Sequence, residues 1–406
     1  MNKSVSKFDL LKRFRRAGAT QAEFERLWLV LIIIISVCLR LAAAFYLGDS
    51  VAILPGIFDQ VSYDMLAQQV VNGRGLTVAD NWWPATPAGE PTAHWSYLYT
   101  FYLAGIYTII GYHPLVARLV QAIAAGILMP WLAYRIGRRV FGYKVGLVAA
   151  GLVAIYIYFV YYAAALVTET FYVTAILWSL DLAMKLGQPS AQARSAKFDW
   201  IVFGLALGIT TLLRQVFLLF LPVLFVWLLW RSFRYRSRPL PQMIGTLIGA
   251  TALLVGLILP WTIRNYRAFD TFVLLNTNAG FAFYWGNHPI PGYTLISILP
   301  DDGPSYQALI PAELKDLNEA ELDRALLTRG LGFIQAEPAR YLMLSITRFR
   351  DYFKFWPSSD SGTMSNISRI FSFGLLLPFM AYGFIYYLRR SLTGVALILY
   401  LFVLVY

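Results

Sequence analysis

Four ionisable residues lie where long apolar runs meet polar segments, and their types could support chemistry at a membrane boundary. Asp59 and Asp64 follow the first apolar run, Glu169 opens a later run, and Arg214 interrupts another. A carboxylate in such a place can accept a proton. A planar guanidinium suits bidentate binding of a phosphate group. Asp59 is the strongest catalytic candidate, because it heads a predicted helix directly outside the first apolar run.

The stretch 58–76 (FDQVSYDMLAQQVVNGRGL) predicts the short helix that positions Asp59. Its apolar residues recur at helical spacing, and Asn72-Gly73 suits a helix end. The pattern is typical of an amphipathic helix that lies along a membrane surface. Tyr63 and Asp64 follow Asp59 by four and five positions.

Each of these residues also has a structural interpretation. Asp59 could cap its helix, and Glu169, behind Thr168, could be a first-turn acid that the helix dipole favours. Arg214 could extend its head to the lipid head groups. An arginine left in hydrocarbon costs a few kcal/mol, however, which favours a polar cavity or an anion as its neighbour. Arg40, inside the first run, fits snorkelling or helix packing better than ligand binding.

The chain carries no recognisable nucleotide or metal motif. There is no Walker A sequence and no Gly-x-Gly-x-x-Gly after a strand. Three histidines and one cysteine give no metal-ligand spacing. A divalent cation held by carboxylates stays open as an alternative, although nothing in the spacing requires one.

Composition identifies a polytopic membrane protein. The 406 residues are 58% hydrophobic and 14% charged, against about 25% charged in soluble domains. Apolar runs of about 20 residues recur, which is the length that spans a bilayer. The net charge of +12 falls mainly in short segments between these runs, as expected for cytoplasmic loops. Nucleic acid is therefore not a predicted partner.

The apolar runs divide the chain into four regions. A basic cytoplasmic segment (1–26) precedes a membrane core (27–262) with an external loop (48–114). A polar external region (263–366) follows, and then two C-terminal spans (367–406). The first run is too long for a signal-peptide core and predicts an uncleaved span with the N-terminus in the cytoplasm. The last run ends abruptly, as in a truncated chain.

One choice decides the topology of the later spans. The stretch 200–230 is apolar except at Arg214-Gln215, and a basic cluster follows it at 231–238. Two short spans with a hairpin at Arg214 keep this cluster in the cytoplasm, so the positive-inside rule favours the hairpin over a single helix. Most acids then lie on the external face, where carboxylate chemistry could occur.

Several short segments follow one another in a recognisable order. They are Asp59-x-x-x-Tyr63 with a Gly-x-Gly at 73–75, then 91–95 (PTAHW), 166–170 (LVTET), 212–215 (LLRQ), 260–265 (PWTIRN), 276–280 (NTNAG) and 286–289 (GNHP). Together they resemble integral-membrane glycosyltransferases of the C fold (GT-C) that use polyprenyl-phosphate-linked sugars. The similar branch contains the protein O-mannosyltransferases and the lipid A aminoarabinose transferases. Two departures are the missing Tyr-x-Pro-Pro near His94 and Gln215 in place of proline.

This resemblance, over residues 27 to about 356, implies a fold, a reaction and site residues. The implied fold is an all-α, GT-C-like bundle of about nine transmembrane helices, with external juxtamembrane helices and a small external loop domain. The implied enzyme of the cell envelope transfers a sugar from a polyprenyl-phosphate donor to an acceptor hydroxyl on the external face, with inversion. Asp59 would be the general base, Arg214 would neutralise the leaving phosphate, and Glu169 would orient the donor sugar or the acceptor. The remaining implied substrate ligands are Tyr63, His94 and Asn287.

Two other functions share some of these features. A transporter or flippase for a lipid-linked sugar would also need the spans and Arg214, but it favours charges near the bilayer midplane and internal repeats, which the sequence lacks. A non-catalytic assembly or receptor protein would not need acids at one external depth. The sugar and the acceptor, whether a glycan, a lipid or a protein, are not specified by the sequence.

Overall fold

The structure is a computed structural model that describes residues 20–82, 84–189, 196–290, 292–293, 305–358, 361–390 and 394–406. Most of the predicted basic segment 1–26 lies outside these residues. Within them the regular structure is helical, with three isolated bridges and no β-strand. The predicted class, an all-α polytopic membrane protein, is confirmed.

Sixteen α-helices follow one another along the described chain. They are α1 (Gln21–Leu47), α2 (Asp59–Val71), α3 (Tyr97–Ile110), α4 (Pro114–Phe141), α5 (Tyr143–Ile155), α6 (Ile157–Ala164), α7 (Glu169–Leu186), α8 (Ala196–Leu213), α9 (Leu221–Tyr235), α10 (Leu240–Phe269), α11 (Ala279–Asn287), α12 (Glu319–Ala336), α13 (Pro338–Tyr352), α14 (Thr363–Arg369), α15 (Leu375–Arg390) and α16 (Leu397–Val405). Short 3₁₀ helices cover Gln215–Leu219 and Ala312–Leu314, and a π-helix covers Ile370–Gly374.

Five helical stretches of the described chain are long and apolar enough to cross a membrane. They are α1, α4, Gln215–Tyr235, α10 and Thr363–Leu388, and α5 with α6 make a sixth if this pair, bent by 51°, counts as one span. The other three spans of the predicted nine correspond to α7, α8 and α16, which are shorter or less apolar. The chain is thus multi-pass, and the total of nine stays a prediction.

The chain reverses direction at Arg214, as the basic cluster predicted. Helix α8 ends at Leu213 and a new helical stretch begins at Gln215. Asp199, near the start of α8, pairs with Arg238, which follows α9. Both ends of the 199–238 segment therefore lie together, and Arg214 lies at the far end of the bundle.

Ion pairs gather at the end of the bundle that contains Asp199. Asp181 is buried between Arg135 and Arg139 at 2.8 and 3.0 Å. Lys185 reaches Asp199 at 3.2 Å, and Arg138 reaches Glu25 at 3.3 Å. These are the charged residues that the sequence assigned to the cytoplasm, so they share one face as predicted.

Arg40 is a packing residue. Its guanidinium is fully buried and donates to Ser36 Oγ and to the carbonyl oxygens of Val153 and Ala154. Helix α5 ends beside these carbonyls, so some of them lack their usual helical donors. The arginine therefore stabilises the bend between α5 and α6 and is not available for a ligand.

A pair of labelled cysteines tests which side of the membrane each end occupies. With the native Cys38 replaced by serine, Val216→Cys is expected to react with a membrane-impermeant maleimide added to whole cells. Arg234→Cys, in the last turn of α9, is expected to react only after the membrane is opened, since the positive-inside rule places the basic cluster 231–238 in the cytoplasm. Neither side chain is buried by other protein groups. Labelling of both from the same side would contradict the topology.

Candidate active site

A cleft of about 640 Å³ opens at the end of the bundle that carries Arg214. Helix α2, the loop before α3, the turn after α8 and the start of α11 form its walls. Four of the six predicted site residues lie near one another here: Asp59, Tyr63, His94 and Arg214 line the cleft, together with Trp95, Ser96, Gln215, Asn276, Asn278 and several apolar residues.

Asp59 enters the cleft from the first turn of α2. The helix begins at Asp59 itself, and its N-cap is Phe58, which makes no side-chain capping bond. Asp59 is therefore not the cap residue that the structural interpretation required. Among the described residues, no hydrogen bond or ion pair occupies its carboxylate. The carboxylate is free to meet a substrate.

The cleft environment raises the pKa of Asp59. Surrounding protein atoms desolvate the carboxylate although solvent can still reach it, and this desolvation is the largest cause. The negative charge of Glu169 raises the pKa further, whereas the positive charge of Arg214 opposes both. A carboxylate with a raised pKa is a stronger base than an ordinary aspartate, as catalytic acid–base groups often are.

Arg214 and Glu169 form an ion pair at the cleft. Arg214 Nη2 lies 2.5 Å from Glu169 Oε1, and Arg214 Nε donates to Thr168 Oγ1 at 3.0 Å. Thr168 makes no capping bond with its own helix α7. The interpretation of Thr168 and Glu169 as a simple helix start is therefore incomplete, because both residues hold the arginine. The pair is about one-third exposed, so an incoming anion can approach Arg214.

Tyr63 lies one helical turn after Asp59 on the cleft wall. Its hydroxyl accepts a 3.4 Å hydrogen bond from the Ser96 backbone, and its ring meets Tyr99 edge-on at 5.0 Å. The pKa of Tyr63 is raised, mainly because the side chain is buried, so its hydroxyl stays protonated. Tyr63 can thus act as a fixed polar wall but not as a base.

His94 is held as a neutral ring. It is buried against Trp95 and Phe281, with ring centroids 4.3 and 5.8 Å away. Burial lowers the pKa of His94 to about 3, and a hydrogen bond with the Thr277 backbone only partly opposes this. At neutral pH the residue is suited to aromatic or hydrogen-bonding contact and not to proton donation.

Two other residues that the sequence singled out, Asn287 and Asp64, lie outside the cleft. Asn287, predicted as a substrate ligand, is buried at the far end of α11 and does not line the cleft. Asp64 is also buried, and it accepts hydrogen bonds from the hydroxyls of Tyr107 and Tyr112 at 2.6 and 3.0 Å. These bonds anchor α2 to α3.

Because both polar and apolar residues of α2 are buried, the helix is embedded in protein, and its prediction as a surface helix was incomplete.

Three amides that the sequence left without a role hold the cleft together. Asn276 donates to the carbonyls of Ala93 and Trp95 at 3.0 and 2.8 Å. Gln215 donates to Asn278 Oδ1 at 3.0 Å and to the Asn276 carbonyl at 3.2 Å. The sequence showed these residues only as parts of motifs, because hydrogen bonds between distant segments leave no local pattern.

Glu319, at the start of α12, is a buried clamp behind the cleft. Its carboxylate accepts hydrogen bonds from Thr86 Oγ1 (2.5 Å), the Ala93 backbone (2.8 Å) and Thr277 Oγ1 (2.5 Å). Ala93 and Thr277 neighbour the cleft residues His94 and Asn276. One side chain of the region 263–366 therefore joins two walls of the cleft.

Glu319→Gln is expected to lower the melting temperature of the purified protein. Both carboxylate oxygens of Glu319 accept hydrogen bonds, whereas the amide nitrogen of glutamine can accept none. At least one buried donor would therefore lose its partner, which costs about 1–3 kcal/mol. The matched control is Glu321→Gln, two residues on and exposed, because glutamine also completes its capping box with Asn318. Equal melting temperatures for the two variants would contradict the clamp.

An apolar groove adjoins the cleft within the bundle. It encloses about 450 Å³ between α3, α4, α7 and α8, and its lining includes Tyr102, Trp131, Phe171 and Trp178. Leu213 borders both the groove and the cleft. An apolar chain could thus lie in the groove with its polar end in the cleft.

No group of three or more histidine, cysteine, aspartate or glutamate residues in the described parts of the chain is placed to hold a metal ion.

One comparison with known families covers part of the chain that forms the cleft. Residues 95–262 match the family model described as dolichyl-phosphate-mannose-protein mannosyltransferase, a glycosyltransferase family of the GT-C type. Glu169 and Arg214 fall inside the matched region, whereas Asp59, Tyr63, His94 and Asn287 lie outside it. No curated protein and no solved structure matches the chain significantly. The resemblance to membrane glycosyltransferases is confirmed over the matched residues.

Proposed function

From this family match, we propose that the protein transfers a sugar from a polyprenyl-phosphate donor to an acceptor hydroxyl in the cleft at Asp59. The match supports a membrane glycosyltransferase of the mannosyltransferase type. Mannose, which the family description names, is the first donor sugar to test. The external face of the cell membrane is the proposed side of the reaction, in keeping with the positive-inside rule.

The proposed reaction is a single displacement. The acceptor oxygen attacks the anomeric carbon while the bond from that carbon to the phosphate oxygen breaks on the opposite face. Asp59 takes the proton of the acceptor hydroxyl, and the electrons of the broken bond leave with the polyprenyl phosphate. One displacement inverts the anomeric configuration. A positioned base of this kind contributes about 10²–10⁴-fold to the rate.

The observation that carries this proposal is a free carboxylate close to a cation in one cleft. Asp59 has a raised pKa and no partner among the described residues, which suits a general base. Arg214 affects that pKa from the same cleft and is held by Glu169 and Thr168. Its fork suits the phosphate on which negative charge accumulates, and such preorganised charges often dominate catalysis. The two groups supply the base and the anion site that the reaction needs.

The neighbouring residues have smaller proposed roles. Glu169 orients the donor sugar or the acceptor and fixes the arginine. Tyr63 and His94 contact the sugar as neutral groups. The apolar groove next to Leu213 takes the first isoprene units of the donor tail. Asn287 stays a predicted ligand without a position in the cleft, and no cation is required by these roles.

The test uses purified protein in nanodiscs with a panel of radiolabelled polyprenyl-phosphate sugars and a membrane extract that supplies acceptor hydroxyls. Release of polyprenyl phosphate together with label in a new product is expected for at least one donor, and Asp59→Asn serves as the inactive control. A flippase would instead move an intact donor across proteoliposome membranes without breaking its sugar–phosphate bond. The proposal would be overturned if the protein moved a donor across the membrane and broke the sugar–phosphate bond of none of the donors tested.

The pH profile offers a separate prediction. Asp59 must be deprotonated to act, and its pKa is raised, so kcat/KM is expected to fall as the pH drops through that raised pKa. Glu169→Gln removes one of the causes that raise it. The acidic limb of the variant should therefore lie at lower pH than that of the wild type, whatever its maximal rate. A limb that stays in place or moves upward would contradict the coupling.

A further inference from the structure

Helix α13 buries an arginine against the protein and exposes a row of apolar residues. Arg340 is only 4% exposed, and Leu344 and Thr347 are buried on the same side. The opposite face presents Leu342, Ile346 and Phe349, which are 61%, 53% and 71% exposed. Positions 342, 346 and 349 recur at helical spacing and form one stripe. A helix in water normally has the reverse arrangement.

The inward arginines hold the cleft-lining helix α11. Arg340 donates to the carbonyls of Asn287 and His288 at 3.0 and 3.2 Å. Arg348 donates to the Gly286 carbonyl and to Asn287 Oδ1. These acceptors lie at the C-terminal end of α11, where cations are favourable. The first turn of α11, at Ala279 and Ala282, lines the cleft.

The segment that directly follows α13 lies against a candidate membrane span. Phe355 packs so closely on Gly374 that a side chain at Gly374 would lie 3.2 Å from the Phe355 Cβ. Arg369 also donates to the Trp356 carbonyl at 3.4 Å. Gly374 and Arg369 both belong to the stretch Thr363–Leu388, which is apolar enough to cross a bilayer. The chain therefore runs from the C-terminal end of α13 directly onto a candidate membrane span.

We propose that α13 lies in the membrane interface on the cleft side, with Leu342, Ile346 and Phe349 inserted among the lipid chains. The occupant of this face is the bilayer, because α13 is followed within three residues by a segment that packs on a candidate span, and Arg350 and Lys354 at this end can pair with lipid phosphates. Through Arg340 and Arg348, the depth of α13 in the leaflet then sets the position of α11 at the cleft. The inference does not depend on the proposed reaction.

Spin labels on single cysteines test this placement. The Cys38→Ser protein carries a label at Ile346 or Phe349 and is studied in nanodiscs of phosphatidylcholine and phosphatidylglycerol with one copy per disc. Thr328, exposed on α12, is the aqueous control, and Ile248, exposed on α10, is the membrane control. Collision with oxygen reports lipid, and collision with a water-soluble nickel chelate reports water.

Labels at Ile346 and Phe349 are expected to collide with oxygen as often as the Ile248 label and with nickel several-fold less often than the Thr328 label. Two results would overturn the proposal. Nickel access equal to that of Thr328 would place the stripe in water, and low access to both reagents would place it under protein. Dipolar broadening in discs that contain two copies, without lipid exposure in single-copy discs, would identify a second copy as the occupant instead.

Discussion

Asp59→Asn is expected to lower kcat at least a hundredfold while the melting temperature stays within the error of the measurement. The substitution keeps the shape of the side chain and removes its ability to take a proton, and a positioned base is worth about 10²–10⁴-fold. Stability should not change, because the carboxylate has no bonding partner among the described residues and does not cap α2. Single-turnover assays with excess enzyme measure the chemical step directly.

Asp64→Asn is the matched control on the same helix. Its carboxylate is buried and accepts two tyrosine hydrogen bonds, so this variant is expected to lose stability while its folded fraction keeps its rate. The two variants should therefore show opposite patterns of stability and turnover. Near-normal turnover of Asp59→Asn would remove Asp59 from the mechanism.

Arg214→Ala is expected to weaken binding of free polyprenyl phosphate about ten- to hundredfold and to reduce turnover further. A hydrogen bond to a charged group contributes about 1.5–3 kcal/mol. The structure adds a second reason, because the variant would leave Glu169 unpaired beside the incoming phosphate. Arg214→Lys keeps the charge but loses the fork, so it should retain part of the activity. Binding is measured by calorimetry or displacement of a fluorescent lipid in one detergent.

The double variant Arg214→Ala/Glu169→Gln separates the two causes. Removing the unpaired carboxylate should restore part of the lost affinity, but not the contact with the phosphate. If Arg214 only positions its helix near lipid head groups, Arg214→Ala will change stability or insertion and leave the affinity unchanged. Equal affinity in folded wild-type and Arg214→Ala protein would end the phosphate-binding hypothesis.

Local patterns in the sequence predicted the elements that carry the site. Helix α2 begins at Asp59 and ends at Val71, before the Asn72-Gly73 signal, and Gly73 adopts a positive φ of 75°. The turn at Arg214 was predictable because the basic cluster at 231–238 favours the cytoplasm, which restricts how the preceding chain can cross the membrane. The first signal extends over a few residues, and the second is the charge of one loop.

The surroundings of those elements were not predictable from the same signals. The amide bonds of Asn276 and Gln215 and the clamp at Glu319 join segments that are distant in sequence, so no local spacing records them. Helix α13 shows the same limit. The apolar spacing in its sequence fits a helix with one apolar face, but periodicity cannot decide which face meets protein and which meets lipid.

The clamp at Glu319 has a consequence for how the protein is made. Glu319 and Ala93 bond to each other across 226 positions of sequence. Chains emerge from the ribosome in order, and contacts between distant segments form late because closing long loops costs entropy. The membrane helices can insert while the cleft still lacks one of its supports. We therefore expect the proposed transfer activity to appear only after residue 319 has been synthesised and has reached the Asp59 side of the membrane.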